Sequence, residues 1–280
     1  MKYLITGANG QLAKEFLKIL NSADVYAFDK SKLDISNEQD LKQAIDFVKP
    51  DIVLNCAAYN NVDGVETDYD RAYKVNAVSL KNMANFCERY KTFIIHFSTD
   101  YVFGGKDNFD PYKETDDTNP INKYGLTKLS GENFLKENYE KFLIFRVSWL
   151  YGDGKQNFIF KLINWAKNNK ELNISVDEVS VPTPTKLVAE LIIKSIKTGL
   201  KGIWHCIPCG FASRYEWAVE TMKKLDPSIR INKAKQSDFK LPAKRPNFSA
   251  MDNSNLRKEL NISIKKWDEY LLEYLSGVNI

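Results

Sequence analysis

Along the first 150 residues, apolar and polar positions alternate between two rhythms. Short apolar runs occupy Lys2-Tyr3-Leu4-Ile5-Thr6, Val25-Tyr26-Ala27-Phe28, Asp51-Ile52-Val53-Leu54-Asn55-Cys56, Thr92-Phe93-Ile94-Ile95-His96-Phe97 and Phe142-Leu143-Ile144-Phe145-Arg146-Val147. Near-continuous runs of this length suit strands of a parallel sheet buried on both faces. Between them the apolar positions recur at helical spacing. Leu12, Phe16, Leu17 and Leu20 form one such stripe, and Leu41, Ile45 and Val48 another, within a helix predicted over Glu38 to Val48 and stopped by Pro50. Further helices are predicted from Tyr69 to Tyr90 and from Lys123 to Glu137. Strands alternating with helices predict an α/β fold with a doubly wound parallel sheet of the Rossmann type.

The second half is less regular. Helices are predicted over Phe158 to Asn168, Lys186 to Ile196, Tyr215 to Leu225 and Trp267 to Leu275, with strands at Leu172 to Val176 and Ile203 to Cys206. The polar, proline-bearing stretch from Asp226 to Asn255 reads as a poor core that covers a ligand. The expected organisation is a dinucleotide-binding domain over 1–150, completed by about 180–204. A smaller substrate-binding lobe is expected from 151–179 and 205–280.

Composition narrows the class. The chain has 280 residues, 44% hydrophobic and 27% charged, as in ordinary globular proteins. There is neither an apolar run long enough to span a bilayer nor a secretory signal pattern, so a cytoplasmic protein without membrane partners is expected. The formal charge of +4 carries no long basic run, so no nucleic-acid partner is expected. A slight basic excess suits an anionic small substrate. Cys56, Cys87, Cys206 and Cys209 do not make a disulfide framework in a chain this long. Cys206-Ile207-Pro208-Cys209 has no second pair to complete a zinc site. His96 and His205 sit in apolar strands and read as packed residues.

The glycine turn is the first chemical signal. Gly7-Ala8-Asn9-Gly10-Gln11-Leu12-Ala13 joins the first strand to the first helix. Glycines there let backbone approach a pyrophosphate, and the helix start offers free amides to it. Asp29 ends the second strand, 22 positions after Gly7. A carboxylate at that place accepts from a ribose 2′-hydroxyl and repels a 2′-phosphate. NADH is therefore the favoured cofactor, while neighbouring Lys30 leaves room for NADPH.

The second signal is Tyr124-Gly125-Leu126-Thr127-Lys128, which brings an ammonium onto the same helix face as a phenol. A nearby cation favours phenolate and makes tyrosine a usable proton donor and acceptor near neutral pH. The spacing alone selects nothing, since Tyr26/Lys30 and Tyr151/Lys155 share it. Context selects Tyr124. Ser98-Thr99-Asp100 lies upstream at the C-terminal end of an apolar strand, the edge where open α/β sheets bind ligands.

With Asn55-Cys56-Ala57-Ala58-Tyr59, Ser98-Thr99-Asp100-Tyr101-Val102-Phe103 and Tyr124-x-x-x-Lys128, the chain resembles the extended short-chain dehydrogenase/reductases. Within them it most resembles the dTDP-4-dehydrorhamnose reductases. Leu33-Asp34-Ile35, Val62-Asp63-x-x-Glu66, Arg146 to Gly152, Asn157-Phe158, Pro182-Thr183 and Arg245-Pro246 follow in family order.

The resemblance implies reduction of the C4 keto group of a dTDP-4-keto-6-deoxy sugar, dTDP-4-dehydro-L-rhamnose above all. Thr99, Tyr124 and Lys128 would be catalytic. Gly7, Gly10, Gln11 and Leu12 would line the pyrophosphate, Asp34 and Ile35 the adenine, and Ala57, Ala58 and Tyr59 the middle of the cofactor. Tyr124 and Lys128 would also touch the cofactor. Thr99, Asp100 and Trp149 would meet the sugar, and Arg245 its diphosphate. Two alternatives stand beside this. One is a sugar-nucleotide epimerase or dehydratase, disfavoured because Tyr101 replaces the dehydratase acid. The other is a non-catalytic dinucleotide-binding regulator, which would have no need for Thr99, Tyr124 and Lys128 together.

The sequence departs from the family in three places, the first being Ala13 where the turn usually ends in a glycine that packs helix against strand. Glu178-Val179-Ser180-Val181 replaces the usual Gln-x-Gly before Pro-Thr. Some members dimerise through a metal held by acidic residues. Glu15 fits one such position, but Lys186 opposes that site, so no metal is expected, and a monomer or homodimer is.

Overall fold

The computed structural model describes residues 1–20 and 24–278. The predicted strands appear as β1 (Lys2–Thr6), β2 (Asp24–Phe28), β3 (Ile52–Asn55), β4 (Phe93–Thr99) and β5 (Phe142–Val147). The helices between them are α1 (Gln11–Ile19), α2 (Glu38–Val48), α3 (Tyr69–Tyr73), α4 (Ser79–Glu88) and α5 (Lys123–Asn138). The helix expected as one piece from Tyr69 to Tyr90 is interrupted by a π turn over Lys74–Val78, which separates α3 from α4. Such turns re-aim side chains within a helix, and Asn76, in this one, is a structural tie described below.

Further along come β6 (Leu150–Tyr151), α6 (Phe158–Asn168), β7 (Glu171–Ser175), β8 (Val179–Ser180), β9 (Thr183–Pro184) and α7 (Thr185–Thr198). The chain closes with β10 (Gly202–His205), β11 (Ala212–Ser213), α8 (Arg214–Leu225), β12 (Arg230–Ala234), α9 (Ser254–Leu260) and α10 (Trp267–Leu275).

The main sheet has six parallel strands in the order β2-β1-β3-β4-β5-β10. The direction of winding reverses between β1 and β3, so their C-terminal ends open a crevice at the switch point. One face of the sheet packs Phe16, Leu54, Ile95, Phe145 and Ile192 against α1 and α7. The other packs Leu41, Ile45, Val53, Leu80 and Ile144 against α2 and α4. Burial on both faces explains why these strands read as unbroken apolar runs.

Smaller clusters lie beyond β5. Leu162, Leu172, Ala218 and Met222 join α6, α8 and β7. The stretch from Asp226 to Asn255 is better packed than expected, although Phe239, Leu241 and Arg245 from it do line the cleft described below. It contains β12, and Phe248, Ala250 and Met251 are fully packed in a cluster with Val102, Phe103 and Val181. Single bridges of Phe248 to Val179 and Met251 to Tyr112 hold it there. These contacts join distant parts of the chain, so no local periodicity announces them. The segment also carries α9, which starts at Ser254. Among the described residues, no helix is long and apolar enough to cross a membrane.

Candidate active site

The glycine turn is built by close approach of two strand ends. Gly7 has φ +65°, and a Cβ there would lie 2.8 Å from the backbone nitrogen of Ala57. Only glycine fits both conditions. Gly10 closes the turn, its N–H donating to the Gly7 carbonyl at 2.8 Å. It precedes α1 without any side-chain cap, which leaves the first amides of the helix open to an anion. Gln11 begins that helix, and Leu12 is buried behind it.

Asp29 ends β2 beside this turn. It accepts from the backbone and hydroxyl of Ser31 at 2.9 and 2.6 Å and from the Asn9 amide at 3.1 Å. The Ser31 hydroxyl leads in holding its carboxyl below the ordinary value. Asp34 similarly accepts from Ser36, and Ile35 is buried in the core. Ala57, Ala58 and Tyr59 follow β3. Asn76 clasps that loop, accepting from Tyr59 N–H and donating to Tyr59 O, both at 2.9 Å, and it also donates to Thr127 of α5 at 3.0 Å.

A cleft of about 880 Å³ opens at the C-terminal edge of the sheet. Gln11, Thr99, Asp100, Tyr124, Trp149 and Arg245 all line it. Thr99 ends β4 and caps the turn that follows, accepting from Tyr101 N–H at 3.2 Å and donating to Asp100 at 3.1 Å. Asn122 caps α5 by accepting from Gly125 N–H at 2.7 Å, which sets Tyr124 in the first turn. A methyl at Gly125 would lie 2.1 Å from the Tyr101 carbonyl, so α5 comes up directly against the strand-end turn.

The electrostatics differ from the expected tyrosine–lysine contact. Burial pushes Tyr124 up to about 12, with Thr99 pulling down and Asp100 pushing up. Tyr124 is therefore held as the phenol. Lys128 is buried, and its Nζ donates to the Phe97 carbonyl at 2.7 Å and lies 3.1 Å from His96 Nε2. Burial brings Lys128 down to about 7 against the pull of Glu132. Its amino group is turned toward strand β4 and lies against neither the phenol nor a carboxylate.

Arg245 does not stand free in the cleft. Its guanidinium meets Asp63 through two bonds of 3.1 and 2.7 Å. Lys155 and Lys161 line the same cleft, are exposed, and make no ion pair among the described residues. Sequence reasoning passed over both, because nothing distinguishes them from other surface lysines until the fold sets Lys161, on α6, and Lys155, in the loop before it, on the cleft.

It also passed over Arg214. That side chain lies 3.6 Å over the Trp149 ring and pairs with Glu178 at 3.2 Å. Glu178 in turn accepts from the Tyr101 hydroxyl at 3.1 Å. Trp149 itself has φ +41° and stacks on Trp217. A bulky residue in the left-handed region is strained backbone that its surroundings must hold. Glu178 and Ser180, the departures noted above, are thus wired directly into the cleft wall. Glu15 is buried and pairs with Lys18 at 2.9 Å.

The comparisons with known proteins decide the family. The model of the RmlD substrate binding domain matches residues 1–280.

The chain belongs to this family.

Similar relatives include the spore coat polysaccharide biosynthesis protein SpsK of Bacillus subtilis, 33% identical over 98% of this chain and 96% of that one. The dTDP-4-dehydrorhamnose reductase of Escherichia coli is 31% identical over 95% and 94%. Among solved structures, a dTDP-4-dehydrorhamnose reductase from Clostridium acetobutylicum is 39% identical, with a TM-score of 0.94 over 99% of each chain. That from Bacillus anthracis, solved in complex with NADP, is 34% identical, with a TM-score of 0.95 over 99% and 100%.

Proposed function

We propose that this protein is an NAD(P)H-dependent oxidoreductase of the dTDP-4-dehydrorhamnose reductase type. It reduces the C4 keto group of a dTDP-4-keto-6-deoxy sugar, dTDP-4-dehydro-L-rhamnose giving dTDP-L-rhamnose. The observation that carries this reading is the meeting of Thr99 and Tyr124 in the cleft at the sheet edge, with Gln11 of the first helix turn on the same cleft and Lys128 buried one turn further along α5. Membership of a family that includes reductases of this name supports the substrate.

The residues fit a dinucleotide. Backbone closes on Gly7 where a side chain cannot enter, α1 presents free amides, and Asp29 waits at the end of β2. Gly7, Gly10, Gln11 and Leu12 would hold the pyrophosphate, Asp29 a ribose, Asp34 and Ile35 the adenine side, and Ala57, Ala58 and Tyr59 the middle. Asp29 favours NADH. NADPH is also accepted, a reading supported by the relative solved with NADP and by Lys30, which lies 3.7 Å from Asp34. Bound NAD(P)H supplies a hydride to C4.

The chain supplies the rest. Tyr124, held as a phenol, gives its proton to the carbonyl oxygen as negative charge develops there. Thr99 donates a hydrogen bond to that oxygen. Lys128 supplies positive charge behind the tyrosine and holds cofactor ribose. Trp149, backed by Arg214, forms a wall for the sugar, with Asp100 behind Thr99. Lys161 joins Arg245 at the diphosphate, since the Arg245 charge is already balanced by Asp63.

We assign the cofactor to 1–150 with 180–204, and the sugar nucleotide to the lobe of 151–179 and 205–280. The four free cysteines support a reducing, cytoplasmic setting, where the protein works as a monomer or homodimer. The test is NADH or NADPH oxidation on adding dTDP-4-keto-6-deoxy-L-mannose made in place. Oxidation that needs the sugar and is lost in Tyr124→Phe supports the reading; no oxidation with either cofactor rejects it.

A further inference from the structure

Lys128 lies at one end of an unbroken chain of buried polar groups. Its Nζ is 3.1 Å from His96 Nε2. The other ring nitrogen, Nδ1, is 3.1 Å from the Asn55 side-chain nitrogen. Asn55 Oδ1 accepts from the Thr6 hydroxyl at 2.6 Å, and Thr6 Oγ1 accepts from Ala57 N–H at 3.2 Å. Thr6, Asn55, His96 and Lys128 are each no more than 2% exposed. The chain crosses from α5 through β4 and β3 to the end of β1. It ends where Thr6 precedes Gly7 and where Ala57 meets that glycine.

Hydrogen-bond donors and acceptors along this chain cannot be set independently. A neutral imidazole has one N–H and one lone pair. When Lys128 is an ammonium it can only donate, so Nε2 must accept and Nδ1 must carry the proton. The Asn55 carbonyl then has to face Nδ1. When Lys128 is an amine it can accept from Nε2–H. Nδ1 then accepts from the Asn55 amide, and the Asn55 carbonyl accepts from Thr6. The Asn55 orientation found here is the second of these.

The charged groups around the pair leave this logic intact. On α5, Glu132 is held by Arg146 of β5 through bonds of 3.0 and 2.7 Å. Tyr124, also on α5, is a phenol, and Cys56, after β3, is a thiol whose pKa burial raises. His96 itself is held far below the ordinary histidine value by burial and by Lys128, so its ring stays neutral.

We propose that His96 is a positioning residue whose tautomer is locked to the charge on Lys128, and that Asn55 carries this state to Thr6 at the foot of the glycine turn. On passing from ammonium to amine, Lys128 loses one proton to solvent. The imidazole keeps one proton throughout, on Nδ1 before and on Nε2 after. The catalytic meaning rests on the assignment of Lys128 above; the tautomer coupling does not.

The test is nitrogen-15 NMR of the whole protein labelled at histidine. The chain has two histidines, and a His205→Gln control assigns the other one. Between about pH 6 and about pH 9, the range in which perturbed lysines and histidines titrate, the His96 ring should stay neutral. Its proton should move from Nδ1 to Nε2 as the pH rises. In Lys128→Met the tautomer should be fixed at every pH. A fixed tautomer in the unaltered protein, the same change in Lys128→Met, or imidazolium formation in this range would overturn the proposal.

Kinetics give the second readout. His96→Phe should lower kcat by about tenfold to a hundredfold, as for a misplaced reacting group, and move the pH midpoint of kcat. His96→Gln, whose amide can turn either way, should restore both in large part. Equal profiles in all three proteins would refute the positioning role. If unaltered protein oxidises no cofactor with the keto sugar, the reductase reading fails, while the NMR result still stands or falls alone.

Discussion

The Ser180 hydroxyl donates to Oδ2 of Asp100 at 2.8 Å. Ser249 donates to the same oxygen at 2.6 Å, and Thr99 to Oδ1 at 3.1 Å. Asp100 is 2% exposed, and three hydroxyls hold its carboxylate. Burial outweighs them and brings its pKa up to about 6. The Thr99 proton is thus shared with Asp100, and Thr99 must turn from it to donate to a substrate oxygen.

A pH dependence of stability follows from Asp100. Its folded pKa of about 6 lies above the ordinary carboxyl value of 3.8, so the folded protein binds the proton more tightly. Its contribution to stability is therefore fully present below the unfolded value. It is lost as pH rises through about 6, and is flat above. Asp100→Asn removes this dependence. Urea midpoints of the two proteins, compared from about pH 4 to about pH 7, should converge or cross with pH. A constant difference would contradict the buried, raised carboxyl.

Tyr124→Phe should lower kcat by about a hundredfold to ten-thousandfold, as for loss of a general acid, with the melting temperature nearly unchanged. The direction of reaction adds a sharper expectation. A phenol with a pKa near about 12 is ready to give a proton at neutral pH but not to take one. Oxidation of the 4-hydroxy sugar should therefore accelerate with rising pH, while the reduction step should not. Equal pH responses in both directions would mean that Tyr124 is not the group exchanging the proton.

Much of this arrangement can be read from the chain itself. Strands such as Phe142–Val147 and helices such as Glu38–Val48 and Phe158–Asn168 show their bounds in sequence because local pattern and packing agree. The same holds for the crevice, since Thr99 and the Gly7 turn sit at strand ends. What stays hidden depends on contacts between distant segments. Lys128 shares a helix face with Tyr124, yet its Nζ meets the Phe97 carbonyl and the His96 ring, partners supplied by a strand 31 residues away or more. Asp63 and Arg245 are 182 residues apart, and no spacing rule announces their ion pair. Phe248 is packed against Val102, Phe103 and Val179, which come from distant parts of the chain.

Gly125→Ala should cost about 1–3 kcal/mol, the range for forcing a methyl into close-packed surroundings. The added Cβ would stand 2.1 Å from the Tyr101 carbonyl and 3.0 Å from the Pro120 ring. Either α5 or the Thr99–Tyr101 turn must shift, and both carry groups of the proposed reaction. Activity should fall together with the urea midpoint. Unchanged stability would mean that the helix and turn separate easily, contrary to the packing described.

Asp29→Ser tests the cofactor reading beside the glycine turn. The Asp29 carboxylate is held by Ser31 and by Asn9 of the glycine turn, so its position relative to that turn is fixed. A ribose 2′-hydroxyl can donate to it, whereas a 2′-phosphate brings like charge against it. Lys30 beside it lies 3.7 Å from Asp34, so serine at position 29 would remove the repelling carboxylate while Lys30 stays within reach of a 2′-phosphate. The ratio of kcat/KM for NADPH to that for NADH should therefore rise by about tenfold, equivalent to about 1.4 kcal/mol. Most of the change should lie in KM, since the residue is remote from the transferred hydride. High salt should reduce the effect, because the group is partly exposed to solvent. An unchanged ratio would remove Asp29 from cofactor selection and leave the preference to residues elsewhere along the adenine side.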